Sequence, residues 1–83
     1  MTEYQLGLSA EAREQLRELP KGRRRQIGER LTLLQNNLSG DVKKLSAAEN
    51  KYRLRVGKYR VLFRLEGRLI AVYSVKDRKD AYE

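Results

Sequence analysis

Residues 52–65, YRLRVGKYRVLFRL, contain two runs of alternating apolar and basic side chains, separated by Gly57-Lys58. Alternation of this kind has the period of a β-strand, in which successive side chains point to opposite faces. A two-residue interruption that contains glycine is typical of a tight hairpin turn. The segment therefore predicts an antiparallel hairpin in which Arg55 lies directly opposite Arg60.

This register divides the hairpin side chains between the two faces of a sheet. One face receives the apolar positions Tyr52, Leu54, Val56, Tyr59, Val61 and Phe63. The other receives Arg53, Arg55, Arg60 and Arg64, with no acidic residue interleaved. Like charges directly opposite each other destabilise a strand pair, whereas several guanidinium groups on one rigid surface suit a phosphate ligand. The alternative is an open sheet face that arginine stems merely keep in water.

Three further strands are predicted around the hairpin. Residues 4–8 alternate between apolar and polar side chains, and residues 42–45 form a candidate short strand. Residues 69–75 are apolar on both faces, as expected of a central strand. Glu66-Gly67 is a second tight-turn signal. The segments after the helices are therefore expected to form an antiparallel sheet of three or four strands, preceded in the chain by the N-terminal strand.

Two helices are predicted between the first strand and the hairpin. Ser9 is a suitable N-cap for the first helix, and Pro20 ends that helix or opens the next. The second begins near Lys21 and carries one apolar stripe at helical spacing, formed by Ile27, Leu31, Leu34 and Leu38. This order of elements predicts an α+β domain with both helices on one face of the sheet. The predicted core is Tyr4, Leu16, Ile27, Leu31, Leu34, Leu54, Val61, Phe63, Ile70 and Val72.

The composition excludes several classes of enzyme. The 83 residues include no Cys and no His, which excludes thiolate and imidazole metal sites and histidine-dependent catalysis. No apolar run approaches the ~18 residues of a membrane span, and the N-terminus has no secretory apolar region. A soluble cytoplasmic protein of one domain is therefore expected.

The formal net charge of +8 is concentrated in one part of the chain. Residues 42–64 contain one acidic side chain, Glu49, against the basic Lys43, Lys44, Lys51, Arg53, Arg55, Lys58, Arg60 and Arg64. The segments before and after this block are close to charge balance. Because so one-sided a block repels itself, a polyanionic partner such as nucleic acid or an acidic protein is expected.

Three segments of the chain resemble the RelE/ParE superfamily of bacterial type II toxins: Lys44-Leu45, residues 52–61, and the C-terminal VKDRKDAY of residues 75–82. RelE-like members are ribosome-dependent ribonucleases that cut mRNA in the A site. ParE-like members share the fold and poison DNA gyrase. The segments GKYRVLF and DRKDAY resemble the RelE branch more, which implies a single RelE-like toxin domain over residues 1–83.

The resemblance implies a metal-independent endoribonuclease without a cofactor. In such enzymes the 2′-hydroxyl of the mRNA attacks the adjacent phosphate and leaves a cyclic phosphate. Carried over residue by residue, the catalytic set is Arg53, Arg55, Arg60, Arg78 and Tyr82. Arg53 and Arg55 stand where the family has lysines, and an arginine side chain, unlike a lysine, does not act as a general base. Their role here would be electrostatic.

Further side chains are candidates for contacts with RNA or the ribosome: Lys43, Lys44, Lys51, Arg64, Tyr73 and Lys76. If Glu66-Gly67 is the loop, Tyr73 lies opposite Arg60 and offers a flat face for a base. The resemblance also implies a cognate antitoxin, encoded next to the toxin, and implies neither a membrane nor a small-molecule partner.

Two other functions remain open at this point. The chain could be a ParE-like inhibitor of gyrase, or a catalytically inactive relative that acts by binding proteins. It could also be a general RNA-binding module. The arginine and tyrosine set named above separates the first reading from these, because gyrase-directed members need not carry it.

Overall fold

The computed structural model of the chain describes residues 3–77. Its elements are β1 (Gln5–Leu8), α1 (Ala10–Arg17), α2 (Lys21–Asn37), β2 (Asp41–Ser46), β3 (Lys51–Val56), β4 (Tyr59–Glu66) and β5 (Leu69–Asp77). Two residues of the predicted catalytic set, Arg78 and Tyr82, lie outside the described residues. Neither helix within residues 3–77 is both long and apolar enough to cross a membrane.

The strands form one five-stranded sheet in the order β1-β5-β4-β3-β2. The four strands from β2 to β5 pair in antiparallel fashion, whereas β1 pairs with β5 in parallel. The predicted α+β class is thus confirmed, and the N-terminal strand joins the antiparallel strands as a fifth member of the same sheet.

The β3–β4 hairpin has the predicted register. Arg55 lies opposite Arg60, and Leu54 lies opposite Val61. Gly57 in the turn has a φ of 60°, which a glycine adopts without the steric penalty of other residues. The period-2 pattern of the segment was therefore sufficient to fix both the pairing and the faces.

The predicted opposition of Arg60 and Tyr73 is wrong, because Arg60 lies opposite Lys76. There are two reasons for the difference. The strands are joined at Gly67-Arg68 rather than at Glu66-Gly67, since Glu66 is already paired with Leu69. A β-bulge at Tyr73 then shifts the register by one further residue, because Leu62 pairs with Ser74 while Phe63 pairs with Val72.

The core lies between the helices and one face of the sheet. From the predicted set, the fully or almost fully buried residues are Ile27, Leu31, Leu34, Leu54, Val61, Phe63, Ile70 and Val72. Tyr4 and Leu16 are partly buried and pack against the same cluster. Ala12 of α1 and the stripe of α2 belong to one cluster with the sheet residues, which confirms that both helices cover the same face.

Two side chains, from the N-cap residue Ser9 and from Gln15 of α1, form hydrogen bonds with the edge of β5 beyond the end of β1. The hydroxyl of Ser9 accepts a hydrogen bond from the N–H of Ala12 at 3.0 Å, which is the predicted N-cap, and donates to the carbonyl of Tyr73 at 3.3 Å. The Gln15 side-chain oxygen accepts from the N–H of Val75 at 2.6 Å. These contacts satisfy backbone groups that no neighbouring strand reaches.

We expect Phe63→Ala to lower the free energy of unfolding by ~3–5 kcal/mol, because it removes a fully buried ring and leaves a cavity. The ring also stacks on Tyr52 with centroids 5.5 Å apart. Chemical denaturation checks the value. Leu33→Ala is the matched control, since Leu33 is 50% exposed and should change stability by less than ~0.5 kcal/mol. Equal losses for the two variants would contradict the core described above.

Candidate functional site

The sheet face opposite the helices carries a row of charged side chains across four strands. The register sets Asp41 of β2 opposite Arg55 of β3, Arg55 opposite Arg60 of β4, and Arg60 opposite Lys76 of β5. A second row holds Lys43 opposite Arg53. We call this surface the cationic face, and it consists of Lys43, Lys51, Arg53, Arg55, Arg60, Arg64 and Lys76.

Arg60 occupies the centre of the first row and has a cation on each side. It is partly exposed, and within residues 3–77 no carboxylate lies at ion-pair distance from it. Because like charges repel, the position of Arg60 between Arg55 and Lys76 is unfavourable as long as no anionic ligand is bound. A phosphate bound here would receive positive charge from three adjacent strands.

Asp41 is the member of the site that sequence reasoning missed. Its carboxylate oxygens contact Arg53 Nη2 at 3.4 Å and Arg55 Nε at 3.3 Å. The strand was predicted to begin one residue later, which left Asp41 in the balanced N-terminal half. The expectation that no acidic residue belongs to this face is therefore wrong. If the strand had been predicted to begin one residue earlier, pairing it with the hairpin would have placed Asp41 opposite Arg55.

Two guanidinium nitrogens of the face are buried without a hydrogen-bond partner in the described part of the chain, Arg53 Nε and Arg60 Nη1. An unpaired buried donor costs about 1–3 kcal/mol. The Arg53 side chain is only 15% exposed, against 49% for Arg55. Arg53 and Arg60 thus each keep one donor nitrogen below the surface, whereas Arg55 lies further out. Asp41 contacts both Arg53 and Arg55, but not the unpaired Arg53 Nε.

Tyr73 lies beside Lys51 and Arg64, away from the row that contains Arg60. Its ring centroid is 5.8 Å from Lys51 Nζ and 5.4 Å from the guanidinium carbon of Arg64, which are cation–π distances. Lys51 also contacts the carboxylate of Glu49 at 2.8 Å. The hydrogen bond from Lys51 and then its charge lower the pKa of Glu49. Tyr73 is therefore associated with a second group of cations and not with Arg60.

Most of the side chains predicted to contact RNA share this face, and one does not. Lys43, Lys51, Arg64 and Lys76 occupy the cationic face as described. Lys44 instead lies opposite Tyr52, and its ammonium is 5.7 Å from that ring. Because Tyr52 packs against the core cluster, Lys44 belongs to the helix side of the sheet edge.

Comparison with known proteins gives one family and several relatives. The family model described as "ParE toxin of type II toxin-antitoxin system, parDE" matches residues 6–82. A curated relative, toxin RelE3 of Methanocaldococcus jannaschii, is 40% identical over 48 residues, which are 58% of this chain and 54% of the relative. The match therefore spans about half the length of that relative.

Two solved toxin–antitoxin complexes have the same fold over most of the chain. A chain of the RelB-RelE antitoxin-toxin complex from Methanococcus jannaschii matches with a TM-score of 0.77 and 30% identity, covering 92% of this chain and 94% of the other. The archaeal RelE-RelB complex from Pyrococcus horikoshii OT3 matches with a TM-score of 0.81 and 26% identity, covering 95% and 99%.

We expect Asp41→Asn to strengthen binding to a polyanion, because it removes the carboxylate that contacts Arg53 and Arg55. The gain should be about two- to fivefold, the scale of a surface ion pair of ~0.5–1 kcal/mol. Salt-gradient elution from heparin and direct binding assays measure it. Glu29→Gln changes the net charge equally on the exposed surface of α2 and is the control. If both variants gain the same affinity, Asp41 has no local effect on the face.

Proposed function

The chain belongs to the family of ParE toxins of type II toxin–antitoxin systems, within the RelE/ParE superfamily, and we propose that it is a ribosome-dependent mRNA endoribonuclease that inhibits translation. The observation that carries the proposal is the row of Arg55, Arg60 and Lys76 on adjacent strands, with recessed donors on Arg53 and Arg60. Such a surface suits one phosphate group of an extended RNA strand.

The proposed reaction needs no metal, since its parts are the RNA itself and cationic side chains. The 2′-oxygen forms a bond to the adjacent phosphorus, the bond from phosphorus to the 5′-oxygen breaks, and a cyclic phosphate remains. Negative charge increases on the phosphate oxygens in the transition state. Preformed donors from Arg53 and Arg60 would stabilise that charge more than the ground state.

Proton transfer is the step that the arginines cannot perform, because a guanidinium stays protonated at neutral pH. The 2′-hydroxyl must lose a proton and the departing 5′-oxygen must gain one. We assign these transfers to Tyr82 or to groups of the ribosome, and a phosphate contact to Arg78. Both assignments rest on the resemblance of the C-terminal motif, since these residues lie outside the described part of the chain.

The proposed partners are translating ribosomes with their mRNA, and a cognate antitoxin encoded by an adjacent gene. The two solved relatives named above are complexes of a toxin with an antitoxin. An antitoxin with acidic segments would neutralise the cationic face and so compete with RNA for it. This activity requires a cytoplasmic protein, because translation takes place there.

Inhibition of DNA gyrase is the second candidate function. The description of the matching family model favours it, as does the presence of Arg53 and Arg55 where the ribonuclease branch has lysines. In that case the cationic face would contact protein. Induction in growing bacteria with primer extension on a reporter mRNA separates the two. Codon-phased cuts support the ribonuclease, whereas a DNA damage response without cuts supports the gyrase inhibitor.

We expect Arg60→Ala to lower ribosome-dependent cleavage by about 10²-fold or more, the scale of one lost electrostatic contact to the transition state. Folding should be nearly unchanged, because Arg60 lies on the face away from the core. Arg30→Ala, on the exposed side of α2, is the matched control and should cut at the parental rate. A folded Arg60→Ala variant that still arrests growth and cuts mRNA normally would remove Arg60 from the site.

Tyr82→Phe tests whether the hydroxyl of Tyr82 takes part in the same reaction. If it does, single-turnover cleavage on ribosomes should fall while the affinity for ribosomes stays the same. An unchanged rate would leave the ring, and not the hydroxyl, as the contributing group.

We also expect the free protein to cleave naked RNA poorly. Arginine and lysine side chains dominate the cationic face, and none of them is a general base at neutral pH, so ribosomal positioning must supply much of the rate. The comparison is one mRNA incubated at equal toxin concentration with and without translating ribosomes. Efficient cleavage of the naked RNA would contradict the ribosome dependence proposed here.

A further inference from the structure

A shallow cavity of about 270 Å³ lies beside β1, at the end of the sheet face that holds Tyr73. The residues that line it and enter the argument are Gly7, Ser9, Arg64, Glu66, Ala71 and Tyr73. Gly7 and Ala71 are partners in the parallel pairing of β1 with β5. Because both are small, they leave room on the face where longer side chains would fill it.

The β-bulge in β5 determines how Tyr73 meets this cavity. Tyr73 is the extra residue of the bulge, since its neighbours Val72 and Ser74 pair with consecutive residues of β4. Bulges redirect side chains and are frequent beside functional sites. The hydroxyl of Ser9 donates to the carbonyl of Tyr73, which fixes the backbone at this point.

Tyr73 lies between strands that carry cations and the small residues of β1, and Arg64 contacts the ring and also lines the cavity. Lys51 and Arg64, which contact the ring, belong to β3 and β4 on one side of β5. Gly7 and Ser9 come from β1 and the residue that follows it, on the opposite side of β5. Tyr73 thus lies between the cations of β3 and β4 and the small residues Gly7 and Ala71, and its side chain is partly exposed.

The lining combines a flat aromatic ring, a donor and an acceptor. Single-stranded RNA is recognised by stacking of unpaired bases on aromatic rings, with hydrogen bonds to the base edges. Arg64 can donate to ring nitrogens and carbonyl oxygens of a base, and the Glu66 carboxylate can accept from an exocyclic amine. The same carboxylate would repel a phosphate, so the chemistry of the cavity favours a base.

We propose that this cavity binds a nucleobase of the mRNA strand whose scissile phosphate is held at Arg60. Arg60 and Arg64 are four residues apart on β4, about 13 Å along a strand. The base therefore belongs to a different nucleotide from the one that is cut, and the cavity contributes to sequence preference beside the cleavage position. This inference rests on the proposed function, because it requires RNA on the cationic face.

The test uses short 2′-O-methyl oligoribonucleotides, which bind but cannot be cleaved because the attacking hydroxyl is blocked. One nucleotide at a time is replaced by an abasic one, and binding is measured by fluorescence anisotropy. For the parental protein, we expect one abasic position to weaken binding about 10-fold, the scale of one lost base–aromatic stack. Tyr73→Leu should bind the intact strand equally weakly and lose its sensitivity to that position. Tyr73→Phe should behave as the parent.

A pair of glycine variants supplies the matched control. Gly7→Ala adds a methyl group to the cavity, 3.4 Å from Leu69 Cδ1, so it should weaken binding of the intact strand and leave binding of the abasic strand unchanged. Gly28→Ala adds the same methyl group on α2, where it meets nothing within 4 Å apart from its chain neighbours and the backbone of its own helix, and should bind as the parent.

Three results would overturn the proposal: no abasic position weakens binding, Tyr73→Leu leaves the affinity for the intact strand unchanged, or Tyr73→Leu retains its sensitivity to the abasic position. The proposal would also be overturned if Tyr73→Leu lost affinity for the antitoxin but not for RNA. The cavity would then be assigned to a side chain of the antitoxin. Cleavage on ribosomes is measured separately. If cleavage is normal and the base effect is absent, only the cavity assignment fails. If no cleavage occurs on ribosomes, the proposed function fails whatever the oligonucleotides show.

Discussion

The register of the β3–β4 hairpin is the constraint on which the rest of the molecule depends. Because side chains alternate with a period of two, a slip of one residue would move Leu54, Val61 and Phe63 from the core into water. These three side chains are fully buried, and each contributes roughly 1.5–3 kcal/mol through burial. That sum exceeds the repulsion between Arg55 and Arg60, which is at most ~1 kcal/mol. The apolar half of the pattern therefore holds the charged half in position.

The C-terminal half of β5 has a neighbouring strand, β4, on one edge only, and side chains at the start of the helical layer complete the other edge. β1 pairs with β5 only as far as Val72, yet β5 continues to Asp77. Ser9 and Gln15 supply the hydrogen bonds that a longer β1 would have made. Lys76 itself is held beside Arg60 by the pairing of β5 with β4, and the contacts from Ser9 and Gln15 satisfy the other edge of β5 just before it.

The parts of the structure that the sequence predicted are those with strong local periodicity. The hairpin, the Ser9 cap and the stripe from Ile27 to Leu34 each repeat a pattern that one element alone explains. The parts that it did not predict depend on how two distant segments meet. Glu66-Gly67 and Gly67-Arg68 are both acceptable two-residue loops. No residue near Tyr73 in the sequence indicates a bulge. Asp41 was not predicted to contact the arginines, because β2 begins one residue earlier than expected.

Asp41 has a consequence for how the protein behaves in salt solution. A cationic surface normally attracts mobile counterions and releases them when a polyanion binds, which makes the affinity fall steeply as the salt concentration rises. The Asp41 carboxylate is a covalently attached counterion for Arg53 and Arg55, and it remains with the protein when a ligand arrives. Binding of a polyanion then releases fewer mobile counterions than the number of arginines on the face predicts. The salt dependence of binding should therefore be set mainly by the cations that have no carboxylate partner within residues 3–77, with Arg60 at their centre.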